Sequence, residues 1–404
     1  MAAVHDVGGG ETFRDVFGIA EFRALWTAQM LSIVGDQLAR VALTLLVYDR
    51  TRSALLAAIT FAASVVPLFL GGIVLAGLAD RFPRRRVMIS CDLARLMLVV
   101  AMVVPRLPVA VLVVLLFTVT MLGAPFTSAR TGIYADVLPG DRYALGQAIT
   151  LTTYQLAQVV GFAAGGALVA IVHVPNALLA DAATFACSAL ITRIWVSARP
   201  AARGAPDGAT THFADIVTGV RLVFRVPGLR TPMLLGWLAA FYNAPEGIAA
   251  PLAGSLRGGT ATVGLILAAG ALGAAVGGVA FTRLVTPSAR LRWMRPLAIA
   301  SCAVLALFAL GPKLPLALAV LFTSGVFDCF QVAASTAFVG TAPPEHRSQV
   351  FGIAQAGMSL GQGAAMVLAG AAVLSHAPAT VIAASGVIGA VAATLIPASR
   401  AARD

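Results

Sequence analysis

The chain has 404 residues, 59% of them hydrophobic and 11% charged, with a mean hydropathy of +0.91. Soluble globular domains carry roughly 25% charged residues, so an ordinary soluble domain is excluded and an all-α integral membrane protein is expected. The net charge of +11 would suit nucleic acid in a soluble chain. Here the basic residues punctuate apolar runs, where they act as topology signals, and no nucleic-acid partner is expected.

Residues 1–21 carry Asp6, Glu11, Arg14 and Asp15 before any long apolar run. That pattern is unlike a cleavable signal peptide, and this N-terminal segment is expected in the cytoplasm. A helix needs about 20 apolar residues to cross a bilayer. Splitting the apolar runs at charged, Pro or Gly breaks predicts twelve spans. Six occupy 22–48, 54–79, 87–104, 108–131, 143–172 and 176–197, which make an N-terminal half over 22–197. Six more occupy 229–256, 261–284, 292–311, 314–341, 348–373 and 378–397, a C-terminal half over 229–397.

With the N-terminus inside, the outer loops hold only Arg50, Arg52, Arg106, Arg257 and Lys313, and the other loop arginines gather on the inner side. This bias predicts a multi-pass protein of the inner (plasma) membrane with both termini cytoplasmic, residues 398–404 forming the tail. Segment 198–228 is the one long loop between spans. Within it Phe213, Ile216, Val217, Val220 and Phe224 recur at helical spacing beside Arg221 and Arg225, as in an amphipathic helix on the inner membrane face. Half a chain length apart, Ala129 pairs with Ala334, Thr131 with Thr336, Pro139 with Pro344, Arg142 with Arg347 and Gly165 with Gly370. Such an internal repeat fits two pseudo-symmetric six-helix halves.

The loop after the second span reads Ala76-Gly77-Leu78-Ala79-Asp80-Arg81-Phe82-Pro83-Arg84-Arg85-Arg86. Its arginines suit an inner loop, but Asp80 serves no topological purpose. The segment resembles the loop signature of the major facilitator superfamily, Gly-x-Leu-x-Asp-Arg-x-Gly-Arg-Arg, with Ala76 and Pro83 in place of the glycines. The resemblance implies the twelve-helix fold of that superfamily. It also implies that Asp80, with Arg81, Arg84 and Arg85, forms a conformational latch against the inner end of span eleven, where a carboxylate can accept from free helix N-terminal amides. Trp26-Thr27-Ala28-Gln29-Met30-Leu31-Ser32-Ile33-Val34-Gly35-Asp36 and Gly219-Val220-Arg221-Leu222-Val223-Phe224-Arg225-Val226-Pro227-Gly228-Leu229-Arg230 resemble the superfamily's exporter branch, which includes enterobactin exporters and macrolide-efflux proteins. Gly161-Phe162-Ala163-Ala164-Gly165-Gly166 is similar to the antiporter signature Gly-Pro-x-x-Gly-Gly, with Phe162 at the proline position; close helix packing explains the glycines equally well.

Charges inside spans are costly unless paired or solvated, and so mark function. Asp36 and Arg40 lie four residues apart on one face of span one, roughly 18 to 24 Å from its inner end. They are either a permanent ion pair or a proton carrier in which protonated Asp36 releases Arg40. Glu246, beside Pro245 on span seven, and Asp328 on span ten are further candidates for proton coupling or substrate binding. Asp181 is expected to be solvated near an outer helix end, and Asp92 with Arg95 to support the Asp80 loop. Phe126, Tyr154 and Tyr242 line a cavity or pack in the core, whereas Gln29, Gln158, Asn243, Gln331 and Gln355 point to a polar bundle interior.

These features predict a secondary active transporter of the superfamily that exports drugs, siderophores or other amphipathic metabolites by alternating access, driven by protons. No G-x-x-x-x-G-K-[ST] loop is present for ATP, and no cofactor, metal or enzymatic activity is expected. The partners are a small-molecule substrate, protons and membrane lipid, with a monomer as the working unit. An uptake symporter or a lysophospholipid flippase of the same fold is the alternative, and a non-transporting receptor or scaffold is the alternative of another class.

Overall fold

The computed structural model describes residues 13–75, 78–199, 222–343 and 347–397. These residues form helices and no strand. Hydrocarbon imposes that economy, because without water only helices or closed barrels satisfy every backbone N–H and C=O.

After the short helix Phe13–Gly18, the first long helix runs unbroken over 32 residues, Ala20–Thr51. It stops at Arg52, whose φ of 52 is left-handed, and Ser53 starts the return by accepting from the Leu56 amide at 3.3 Å. The return comes in two pieces, Ala54–Ala62 and Val66–Val74. Pro67 at the head of the second has no N–H to extend the ladder backward. Arg84–Met102 and Val109–Val137 follow. Asp141–Trp195 then turns back on itself at His173 (φ 65), two residues before Pro175. Asn176 Nδ2 donates to the Val172 carbonyl at 2.8 Å and satisfies one acceptor at that turn.

The second half opens on a fractured helix, Pro227–Trp237, Ala239–Tyr242, Ala244–Gly247 and Ala249–Ser255. Pro232, Pro245 and Pro251 each remove a donor along it. Thr260–Leu284 and Pro287–Ala303 come next, the latter continuing as a 3-10 turn over Val304–Leu310. Leu314–Phe327 and Phe330–Thr341 are separated at Asp328. Arg347–Ala372 and Pro378–Leu395 complete the described fold.

Among the described residues eight helices are long and apolar enough to cross a membrane, against the twelve spans predicted. The differences have physical causes. Arg84–Met102 carries Arg84, Arg85, Arg86, Asp92 and Arg95, the 227–255 segment is broken, and Gln355 and Gln362 dilute Arg347–Ala372. Leu145–Trp195 is one of the eight although it turns back on itself at His173. Ile171, Leu284, Leu310 and Leu395 are at least 75% exposed. Large apolar side chains so bare to the outside make this a multi-pass membrane protein.

Three glycine contacts join the halves. A Cβ on Gly166 would stand 2.7 Å from Gly264 Cα, one on Gly370 would stand 2.5 Å from Ala58 Cβ, and one on Gly363 would strike Val66. Only hydrogen at these positions lets the backbones approach so closely. All three lie toward the end of the bundle remote from the described termini. Ala20–Thr51 runs from the first described end to the helix that holds Ala58, and Pro378–Leu395 runs back from the Gly370 end to Pro397, which places both described chain ends opposite the Gly370–Ala58 contact.

The predicted amphipathic helix falls largely on residues 200–221, and the tail and most of the N-terminal segment on 398–404 and 1–12. These lie outside the described residues. Phe224 lies within them, its ring 6.5 Å from that of Trp237.

Candidate functional site

A cavity of about 360 Å³ lies between the two halves. The first half contributes Arg40, Ser64, Tyr154, Gln155 and Gln158 to its wall, and the second contributes Tyr242, Asn243, Glu246, Asp328, Gln355 and Gln362. Eight of the residues predicted from sequence thus converge on one space: Arg40, Tyr154, Gln158, Tyr242, Asn243, Glu246, Asp328 and Gln355. Arg40 comes from the N-terminal part of the chain, and both carboxyl groups come from the C-terminal part.

Arg40 is held from behind. It donates to the Ser64 carbonyl at 3.1 Å, and its guanidinium lies 5.5 Å from the Phe61 ring centre and 6.0 Å from that of Phe162. These contacts orient the cation without neutralising it. Across the cavity Glu246 follows Pro245 in the fractured helix, and its carboxyl group forms no hydrogen bond or ion pair with a described residue. Asp328 sits at the break after Leu314–Phe327 and accepts from Tyr242 Oη at 2.5 Å. Gln331 Nε2 donates to Tyr242 Oη at 2.8 Å and to the Gly236 carbonyl at 3.1 Å, so Gln331 braces the wall from behind. The Tyr242 ring also meets Phe330 edge-on, 6.2 Å between centres.

A second, smaller chamber of about 140 Å³ lies inside the first half. It takes in Gln29, Asp36, Phe126 and Arg130, and it shares Arg40, Ser64, Leu68 and Tyr154 with the central cavity. The i,i+4 spacing suggests Arg40 as the partner of Asp36, but the structure corrects this. Asp36 takes two hydrogen bonds from Arg95 Nη2, at 2.6 and 2.8 Å. Arg95 also reaches Ser32 Oγ at 3.3 Å and lies 4.1 Å over the Phe185 ring. A guanidinium that is 5% exposed needs such an acid, and a bundle supplies one from a neighbouring helix as readily as from its own.

One more expectation fails around this pair. Asp181 is fully buried rather than solvated, and a Cβ on Gly35 would collide with its Oδ1. Asp92 is also fully buried and accepts from Ser188 Oγ at 2.6 Å. Asp92 and Arg95 therefore belong to the interior of the first half, and their expected support of the Asp80 loop involves side chains outside the described residues. Spacing along one helix did not reveal this cluster. The usable signal was the count of charges inside apolar runs, since each must find a partner somewhere.

The Asp80 side chain lies outside the described residues, although its backbone belongs to the short helix Leu78–Arg81. Arg84 Nη1 donates to the Gly132 carbonyl and to Asp136 Oδ2, both at 3.0 Å. Arg85 donates to the Arg193 carbonyl, and Arg81 is exposed. Both engaged arginines therefore tie helices within the first half.

The chain resembles known proteins along most of its length. It is 27% identical over 340 residues to the multidrug efflux pump Tap of Mycolicibacterium fortuitum, covering 81% of this chain and 82% of that protein. It is 26% identical over 268 residues to the enterobactin exporter EntS of Shigella boydii serotype 4 (strain Sb227), covering 65% of this chain and 63% of that one. Among solved structures, a POT family transporter in complex with a thioalcohol-conjugated peptide superposes with a TM-score of 0.74 at 11% identity, over 93% of this chain and 95% of the other. A bacterial homologue of the human lysosomal transporter Spinster, inward-facing and unoccupied, superposes at 0.68 and 16% identity over 98% of both chains. These structural likenesses concern the fold. The sequence profile of the Major Facilitator Superfamily matches residues 25–339 and 247–403, so a two-walled cavity between helical halves sits in a chain that belongs to the Major Facilitator Superfamily, a transporter and not an enzyme.

Proposed function

We propose that the protein is a proton-driven exporter of amphipathic organic compounds such as drugs, siderophores or other metabolites. It works by alternating access of two six-span halves, 22–197 and 229–397, joined by the cytoplasmic loop 198–228. Counting the bent Asp141–Trp195 helix as two spans and the fractured 227–255 segment as one gives twelve, with both termini in the cytoplasm and the chain in the plasma membrane. The halves press together at the end remote from the termini, so in this orientation the cavity loads from the cytoplasm. One chain supplies both walls, which makes a monomer a sufficient working unit.

The observation that carries this reading is the cavity itself. Its walls belong to different bodies and bear opposite charge, Arg40 facing Glu246 and Asp328. Rocking one half against the other changes the distance between those charges, so substrate affinity and conformation are linked. Asp36 carries the coupling proton. Protonation weakens its hold on Arg95 and alters the chamber that shares Arg40 and Tyr154 with the cavity. Asp80, with Arg81, Arg84 and Arg85, acts as the latch that holds the opposite state. The names of Tap, a multidrug efflux pump, and EntS, an enterobactin exporter, favour export over uptake.

The test is accumulation of a panel of lipophilic dyes, drugs and a catecholate siderophore in a pump-deficient bacterium expressing wild type or Asp36→Asn. Wild type lowers accumulation of at least one compound, and an uncoupler or the substitution restores it. If a well-folded wild type lowers none of them, or lowers one equally well with the uncoupler present, the reading fails.

A further inference from the structure

At the terminus-side end of the first half, away from the substrate cavity, the start of Arg84–Met102 and the end of Asp141–Trp195 enclose a pocket of about 550 Å³. Its walls are Pro83, Arg85, Arg86, Ile89, Arg193, Ala198 and Arg199. Four arginines and no acid line it. Two of the four are already engaged: Arg85 donates to the Arg193 carbonyl, and Arg199 binds Glu21 through Nη1 at 2.5 Å and Nη2 at 2.9 Å. The guanidinium groups of Arg86 and Arg193 form no hydrogen bond or ion pair with a described residue, and both residues are exposed.

Topology alone explains arginines at this end of the bundle, but not a walled pocket with an apolar continuation. Arg86, Ile89, Leu93 and Met97 follow each other at helical spacing, and Leu93 and Met97 are 45% and 62% exposed. The facing helix presents Ala183, Ala186, Leu190 and Ile194 in the same way, with Leu190 and Ile194 56% and 64% exposed. Beyond the basic pocket both helices thus continue in exposed apolar side chains.

We infer that this pocket binds an anionic phospholipid, its phosphate held by Arg86 and Arg193 and its acyl chains lying against the exposed apolar side chains beyond the pocket, Leu93, Met97, Leu190 and Ile194 among them. Cationic pockets at the membrane boundary recognise anionic headgroups, each arginine adding to the attraction, while the exposed apolar side chains beside the pocket supply an area that a soluble anion cannot use. The lipid joins two helices of one half and does not enter the substrate cavity.

Trp195, 59% exposed beside Arg193, is a built-in reporter. The full-length protein is reconstituted in nanodiscs containing brominated phosphatidylglycerol or brominated phosphatidylcholine, and the Trp195 signal is obtained by difference from Trp195→Phe. The expected result is half-maximal quenching at an about tenfold lower mole fraction of phosphatidylglycerol, with the preference lost in Arg86→Gln/Arg193→Gln and unaffected by inorganic phosphate. Should that double variant not fold, Ile89→Trp, read with the added tryptophan as its own baseline, fills the pocket without touching a charge and removes the preference equally. Equal quenching by both lipids overturns the inference, as does a preference that survives both variants. Displacement by inorganic phosphate assigns the pocket to a soluble anion. A preference that appears only after Asp207→Asn/Asp215→Asn assigns it to the central loop's own acids. Either of these two results also overturns it.

Discussion

Replacing Gly166 by alanine tests how the halves are held together. The new methyl group would stand 2.7 Å from Gly264 Cα and 2.8 Å from its N. Ordinary carbon contacts are about 3.5–4.0 Å, so the two helix backbones must part by roughly 1 Å. Overpacking of this kind costs about 1–3 kcal/mol. The contact exists only while the remote end is shut, so the whole cost falls on that state and its population relative to the alternative drops by about 5- to 150-fold. Spin labels at Asn176 and Lys313, exposed residues near the remote ends of opposite halves, report the change by pulsed electron paramagnetic resonance as growth of a longer-distance population. Gly165→Ala is the control. Its methyl group meets Val41 of the same half at 3.3 Å, so it leaves the distance distribution in place. If Gly166→Ala gives the wild-type distribution, or Gly165→Ala shifts it equally, the glycine contact does not decide between states.

Three further outcomes follow from the site. Asp36→Asn leaves the Arg95 guanidinium without its acid; after allowance for a carboxylate that is one-third exposed, the loss is about 1–3 kcal/mol. Thermal unfolding in detergent reads that loss, and Arg95→Gln added to Asp36→Asn recovers part of it without restoring coupled transport. If the double variant is no more stable than the single one, the pair is not the source of the cost. Tyr242→Phe removes the donor to Asp328 and the acceptor for Gln331 and costs about 1.5–3 kcal/mol. A melting temperature equal to wild type would show that water replaces the hydroxyl. Arg40→Gln raises the substrate KM or abolishes transport while leaving the melting temperature within about 2–4 °C, because Arg40 has no acid partner to orphan. A variant that transports normally removes Arg40 from the binding wall.

Much of the site was legible in the chain. Glu246, Asp328, Tyr242 and Asn243 announce themselves as polar groups inside apolar runs, and the structure brings them to one cavity with Arg40 and Gln158. The partner of Asp36 was not legible. Periodicity tells which residues share a face of one helix, and Arg40 shares that face; it carries no information about which helix lies opposite, and Arg95 sits 59 residues away. Asp181 misled for a related reason. Its position near a helix end suggests water, yet the bend at His173 folds that helix back against Gly35. The fractured helix was half-visible, since Pro245 and Pro251 promise a kink, whereas three separate breaks at Leu238, Asn243 and Ile248 depend on tertiary packing.

That fracture makes the two halves mechanically unequal. The helix Ala20–Thr51, which carries Asp36 and Arg40, is a stiff rod with its hydrogen-bond ladder intact, whereas the segment bearing Tyr242 and Glu246 is jointed. A jointed wall can yield to guests of different outline at little elastic cost while the rigid wall keeps its cation in register. Tolerance of many shapes and retention of one charge preference can therefore reside in a single cavity, on opposite sides of it.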